Sequence, residues 1–392
     1  MTALFVFLIL GIALIELVKG LSANGTPPFL QKFSWQMDLA YFMWSNILLF
    51  RIVFTAAIVV VFFLIPSEQR LTAVLIAIPA FALWGGIYWL FNRFWVGRFK
   101  FLPITQKVFK TAGENEVDED FMVIGVDLNG EQKAFPAPML FYHHQIPDEV
   151  GGQPILATYC GMCRAGRVYD RIVDGHALEM TLVGAISFNA VFRDQVTGTW
   201  WRQETGEAAK GTWQGRQLVD IPFEQMSLKN WLEKYPGGKV LQYDPVFAKK
   251  YNFLSKLLAY EASFPSWHRQ ETPPLVIGVE INGQSHAYDF EELKKAKCVQ
   301  SSVGGQSILA LAGQDDTSAF VYSRDIDGEI LEFTFENDVL RDTQTGSEWN
   351  HLGRCTSGEL QGKTLADIQS YQQFLRAWVT FRPTTTFHDF NA

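Results

Sequence analysis

The strongest constraint on this 392-residue chain is that it repeats itself. Val123-Ile124-Gly125-Val126-Asp127-Leu128-Asn129-Gly130 returns as Val276-Ile277-Gly278-Val279-Glu280-Ile281-Asn282-Gly283, a shift of 153. At the same shift Val150-Gly151-Gly152-Gln153 returns as Val303-Gly304-Gly305-Gln306, and Tyr169, Asp174-Gly175 and Leu178-Glu179 return as Tyr322, Asp327-Gly328 and Leu331-Glu332. Arg193-Asp194, Thr197-Gly198 and Trp201 then match Arg341-Asp342, Thr345-Gly346 and Trp349 at a shift of 148, so the second copy lacks about five residues near Gly184 to Asn189. Self-similarity of this kind marks one unit used twice. The shared positions are largely Asn-Gly, Gly-Gly and Asp-Gly pairs between short β-like runs, which is hairpin chemistry. Each copy reads as a β-rich α+β domain with a closing helix around Trp231 or Phe374, over residues 115–250 and 270–390.

Residues 1–110 read differently. Thr2 to Val18 is apolar except for Glu16, Ile47 to Pro66 except for Arg51, and Leu71 to Phe91 throughout. Each run is close to the roughly 20 residues that span a bilayer core, and a helix satisfies its own backbone there. The fold class is therefore three transmembrane helices followed by a tandem pair of β-rich domains, with the lipid bilayer as a partner. The first run lacks the basic start and small-residue cleavage site of a signal peptide, so it is expected to be retained. Phe33, Trp35, Met37, Phe42 and Trp44, between the first two runs, suit the headgroup interface. Lys19, Lys32, Arg51, Arg93, Arg98, Lys100, Lys107 and Lys110 lie on one side and Arg70 alone on the other, which puts the β-rich part in the cytoplasm of a multi-pass cell-membrane protein.

A net charge of −8, with no basic cluster in the β-rich part, argues against a nucleic-acid partner. Four cysteines are too few for a disulfide scaffold. Two of them form Cys160-Gly161-Met162-Cys163 between the apolar runs Ile155 to Tyr159 and Val168 to Val173, where the second copy has Gly313, Gln314, Asp315 and Asp316. His143 is matched by Ala296, so a histidine and both thiols are missing together from the second copy. Two thiols two residues apart either grip a soft metal or close a disulfide, or else they are small buried hydrophobes. Zinc wants four ligands, whereas copper(I) accepts the two or three that Cys160, Cys163, His143 and Met162 offer. Asn189, Trp201 and Gln203 are further candidates for the same cleft. Cys298 and Cys355 read as packing residues.

With those residues on the page, residues 120 to 245 resemble the bacterial and archaeal family called domain of unknown function 3179. The family pattern sets a histidine ahead of an Asp-Glu-Val-Gly-Gly-like turn, then Tyr-Cys-Pro-Leu-Cys-Gly, an Asp-Gly hairpin, an Asn, and Thr-Gly-x-x-Trp-x-Gln. His143, Asp148 to Gly152, Tyr159, Cys160, Cys163, Asp174-Gly175, Asn189, Thr197-Gly198, Trp201 and Gln203 match it, with Gly161, Met162 and Arg164 departing from it. The resemblance implies a bacterial inner-membrane setting and brings no established activity. Many relatives look exported, the opposite side from the charge count. Two functions are expected: a membrane-anchored metal-binding or thiol-redox protein, or a non-catalytic scaffold that recruits another membrane protein.

Overall fold

The computed structural model describes residues 1–23, 31, 33–95, 101–253 and 274–390. Lys32, Arg98 and Lys100, three of the basic residues that set the expected orientation, lie outside them. Helices α1 (Thr2–Ala23), α2 (Gln36–Leu64) and α3 (Ser67–Trp89) are long and apolar enough to cross a membrane, and α3 runs on as one π-helical turn, Leu90–Phe94. Helix α2 starts well before its apolar run at Ile47, because its first turns bury Met37 and Ala40 against protein.

The chain then forms β1 (Phe109–Lys110), β2 (Met122–Leu128), β3 (Glu131–Pro136), α4 (Ala137–His143), β4 (Gln145–Val150), β5 (Gln153–Cys160), β6 (Ala165–Asp170), β7 (Ile172–Val173) and β8 (His176–Ala177). It continues with β9 (Met180–Ile186), β10 (Asn189–Asp194), β11 (Trp200–Arg202), β12 (Ala208–Lys210), β13 (Glu224–Ser227), α5 (Leu228–Lys234) and β14 (Lys239–Leu241). The second stretch begins with β15 (Leu275–Ile281), β16 (Gln284–Asp289), α6 (Phe290–Ala296), β17 (Cys298–Val303), β18 (Gln306–Ala312), β19 (Ala319–Ser323), β20 (Asp325–Ile326) and β21 (Glu329–Ile330). It closes with β22 (Phe333–Glu336), β23 (Val339–Asp342), β24 (Glu348–Trp349), β25 (Cys355–Ser357), β26 (Ser370–Phe374), α7 (Leu375–Phe381) and β27 (Thr386–Phe387).

The sheets run in the same order in the two stretches. Order β14-β3-β2-β13 stands beside β27-β16-β15-β26, β4-β5-β6 beside β17-β18-β19, and β9-β10-β11-β12 beside β22-β23-β24-β25. Strand β14 lies parallel to β3, and β27 parallel to β16. The left-handed backbone positions also coincide: Asn129 and Asn282 have φ near 50° (50° and 49°), and Gly152 and Gly305 have 78° and 81°. Gly125 and Gly278 each lie under a tryptophan of the closing helix, and a methyl group there would sit 2.2 Å from the Trp231 ring or 2.4 Å from that of Trp378.

The compact units do not follow the three segments expected from the sequence. One unit joins the helices to residues 178–202 and 207–217, which carry the β9–β12 sheet. There Val183, Ile186, Val191, Trp200 and Ala209 share a core with Ala23, Met37 and Ala40, and Tyr41 and Trp44 meet the Trp200 ring edge-on. Met37 and Trp44 are thus packing residues, while Phe33, Trp35 and Phe42 remain exposed. The positions of Val183, Trp200 and Ala209 are held in the second stretch by Glu336, Glu348 and Thr356, which explains why only the first such sheet has an apolar face for helices. The extra residues near Gly184 belong to this contact: Gly184 approaches the Ala23 carbonyl, and Gln31 Oε1 accepts the Phe188 N–H at 3.1 Å.

The other unit holds residues 103–177, 203–206 and 218–392. One of its cores is common to both stretches, with Val123, Met226, Leu228 and Trp231 from the first and Leu309, Phe320, Leu340, Trp349 and Cys355 from the second. The two stretches therefore share a core here, where the sequence suggested two domains packed against each other. Gln225 and Gln372 link them, since Gln225 Nε2 donates to the Gln372 carbonyl at 3.4 Å and Gln225 Oε1 accepts the Gln372 N–H at 3.1 Å.

Candidate functional site

Strands β5 and β6 pair from Ile155↔Asp170 to Cys160↔Ala165, leaving Gly161 to Arg164 as a four-residue loop. The Cys163 N–H donates to the Cys160 carbonyl at 3.3 Å, and the Cys163 thiol lies 3.5 Å from the same oxygen. Both thiols are buried, at 1% and 0% exposure, whereas Met162 is 37% exposed. So the closed end of the hairpin buries Cys160, the last residue of β5, and Cys163 in the loop, and leaves Met162 outward.

Two departures from the family pattern have local causes. A Cβ at Gly161 would sit 1.7 Å from the Phe141 ring, so the ring occupies the space that a proline would need. Arg164 takes the left-handed conformation, φ 57°, where the pattern has Gly. A residue with a Cβ holds that conformation at a cost of about 1 kcal/mol.

The loop backbone is held from the second stretch. The Phe374 N–H donates to the Cys163 carbonyl at 2.9 Å, and Arg376 Nη2 to the Met162 carbonyl at 3.0 Å. A reciprocal contact occurs at the corresponding loop of the second stretch. There the Ser227 N–H donates to Ser318 Oγ at 2.9 Å, while Ser227 Oγ and Asn230 Nδ2 donate to Asp315 Oδ2 at 2.6 and 2.8 Å. Asp315, at the position of Met162, thus anchors α5, whereas the first loop offers thiols instead.

His143, at the end of α4, has its Nε2 at 2.6 Å from the Tyr251 hydroxyl and lies among the rings of Tyr142, Phe247 and Tyr251. Burial, reinforced by Asp244 and neighbouring tyrosines, pushes the Tyr251 hydroxyl upward, so it stays a neutral phenol. Helix α4 is joined to the loop's strand by the Tyr159 N–H, which donates to the His144 carbonyl at 3.1 Å. Even so, among the described residues no three His, Cys, Asp or Glu side chains are grouped to hold a metal ion. Cys160 and Cys163 are thus not joined by a third such group among the described residues.

Gln203 does reach the base of the loop. Its Nε2 donates to Thr158 Oγ1 and to the Ala165 carbonyl, both at 3.0 Å, and its own carbonyl accepts the Tyr169 hydroxyl at 2.7 Å. Trp201 is tied instead to Asp194, its Nε1 donating to Oδ2 at 2.9 Å, as Trp349 donates to Asp342 at 2.9 Å. That identity marks it as a fold residue. Asn189 is buried at the start of β10, paired with Ile186. Cys355 is buried in the shared core with Cys298 packed beside it, and burial pushes both of those thiols up.

The structure adds a buried charge network beside Gln203 that the sequence reading missed. Glu204 Oε1 accepts from Arg167 Nη2 at 2.8 Å, Arg382 Nη1 at 2.7 Å and Gln373 Nε2 at 3.2 Å. The Arg167 guanidinium lies 3.8 Å over the Tyr371 ring. Burial alone would raise the Glu204 carboxyl, but Arg167 and then Arg382 outweigh it and hold the group below the usual carboxylate range. A signal was present in the sequence, because at the shifts that relate the two stretches Thr158, Arg167 and Glu204 align with Leu311, Phe320 and Leu352, a polar set against an apolar one.

No curated protein and no solved structure matches the chain. The family described as a protein of unknown function, DUF3179, matches residues 102–385, a span that takes in both β-rich stretches and not the first alone. With the helices preceding that span, the chain belongs to the DUF3179 family.

Proposed function

We propose that this is a membrane-anchored protein whose β-rich part holds a soft cation such as copper(I) between Cys160 and Cys163. The carrying observation is that Cys160, at the end of β5, and Cys163, in the loop that follows it, are both buried at the closed end of one hairpin whose loop backbone is fixed from the second stretch. Thiolates are the ligands soft metals prefer, and copper(I) is content with two. On this reading the second stretch is a degenerate copy, consistent with the coincident strand orders and left-handed positions, which kept the turns and replaced both thiols with Gly313 and Asp316. His143 then serves the loop through α4, with its Nε2 engaged by Tyr251.

Metal titration decides it. The full chain, reduced and free of oxygen, should take up about one copper(I) and compete with a chromophoric chelator. The Cys160→Ser, Cys163→Ser double variant should bind at least about tenfold more weakly. Equal weak binding by both, with thiols that neither react nor pair under a mild oxidant, would leave the scaffold reading, which the near-zero exposure of both sulfurs favours.

The same proposal places the β-rich part in the cytoplasm, where thiols stay reduced. A reporter that is active only after export, fused after Lys110, should be silent, and a fully active one would reverse the orientation.

A further inference from the structure

We propose that the helices carry a binding site for the phosphate of an anionic lipid headgroup, centred on Arg51. Arg51 Nε pairs with Glu16 Oε1 at 2.6 Å, and Nη2 donates to Asn92 Oδ1 at 2.9 Å. Asn92 Nδ2 in turn donates to Glu16 Oε2 at 2.9 Å, and Lys19 Nζ donates to Asn92 Oδ1 at 2.5 Å while lying 4.6 Å over the Trp44 ring. These bonds join two cations to one carboxylate. Asn92 belongs to the π-helical turn, and such turns recur at functional sites.

Position supports a lipid. Arg51 is four residues inside the apolar run of α2, about 6 Å along the helix, which is close to headgroup level. Glu16, Lys19 and Asn92 lie near the ends of their helices on that same side. Ionisable groups at such a depth are costly unless they serve a purpose. The Glu16 side chain is fully buried, but that of Arg51 is 28% exposed, and on its helix Leu48, Leu49 and Ile52 are more than half exposed, as lipid-facing residues are. The Arg51 guanidinium carbon lies 5.1 Å from the centroid of the Tyr88 ring, and Nη1 makes no bond among the described residues. A guanidinium preset by Glu16 and Asn92, with its side chain partly exposed among lipid-facing residues and Nη1 uncommitted, can meet a phosphate diester.

The test measures lipid retained by the full chain in mixed micelles of phosphatidylglycerol and phosphatidylcholine. Wild type should favour phosphatidylglycerol by about fivefold, the effect of one well-placed charge at the membrane surface. Arg51→Gln should abolish the preference, and Arg51→Lys should keep part of it, because the charge survives and the fork does not. Inorganic phosphate at millimolar concentration should leave the lipid in place. No preference in wild type, full preference in Arg51→Gln, or displacement by free phosphate would each overturn the proposal, and the first and last need no variant to fold.

Discussion

Replacing Glu204 by alanine is expected to cost the β-rich part about 3–5 kcal/mol, the range for removing one partner of a buried ion pair. The carboxylate is 1% exposed and accepts from two guanidinium groups and an amide. Without it Arg382 still has Glu280, with Nε and Oε2 2.7 Å apart, so the charge left uncompensated is chiefly that of Arg167. Denaturant unfolding of the full chain in detergent, followed by tryptophan fluorescence, would measure the loss; a change below about 1 kcal/mol would mean that the network carries little. The second stretch suggests the rescue. Arg167→Phe and Glu204→Leu together, with Arg382→Met, should recover most of the loss, since an apolar set of similar volume avoids the desolvation of all three charges. The pH dependence has a definite sign. Because the folded Glu204 carboxyl lies below its unfolded value of about 4.3, its contribution is complete above that value and is lost as pH falls through the folded one. Asp220, raised chiefly by burial, acts in the opposite sense, and its share shrinks as pH rises through its own range.

What could be read from the chain divides along physical lines. Three apolar runs admit only helices, and they are helices, with α2 longer than its run because Met37 and Ala40 pack on a sheet instead of lipid. Turn chemistry is local, so Asn129-Gly130, Gly151-Gly152 and Asp174-Gly175 were legible as turns and adopt the left-handed backbone expected of them. Partnerships across long sequence distances were not. Arg167 meets Glu204 and Tyr371, and Cys163 meets Phe374, because β6 and β26 lie together, which no local period announces. Gln203, read as a possible cleft residue, bonds at the loop base, whereas Trp201, read the same way, is held by Asp194 as Trp349 is by Asp342. Comparing the two stretches position by position is informative only after two kinds of difference are separated. Trp200 against Glu348 reflects docking on helices, whereas Cys163 against Asp316 lies where each loop meets the other stretch through different groups, main-chain carbonyls in the first and the Ser318 and Asp315 side chains in the second.

A chain cut after residue 253 should insert its helices yet fail to fold the rest of its β-rich part. The sequence suggested two domains, at 115–250 and 270–390, packed against each other, and a first domain with a core of its own would survive the cut. Here Val123, Met226, Leu228 and Trp231 share their core with Leu309, Leu311, Phe320, Trp349 and Leu352. Burying one large apolar side chain is worth about 1.5–3 kcal/mol, so losing five partners removes on the order of 10 kcal/mol. That is comparable with the whole stability of a domain, about 5–15 kcal/mol. The cut also removes Arg382 and Gln373 from Glu204, the Phe374 N–H from Cys163, and the Gln372 backbone from Gln225. Limited proteolysis of both proteins in detergent supplies the measurement, with attack between residues 103 and 177 as the readout. Rapid cleavage there only in the shortened chain is the expected outcome. Equal resistance in both would mean that the first stretch folds alone, and the loop of Cys160 and Cys163 would then owe its shape to its own hairpin instead of to the strand and helix that hold it from the other half of the chain.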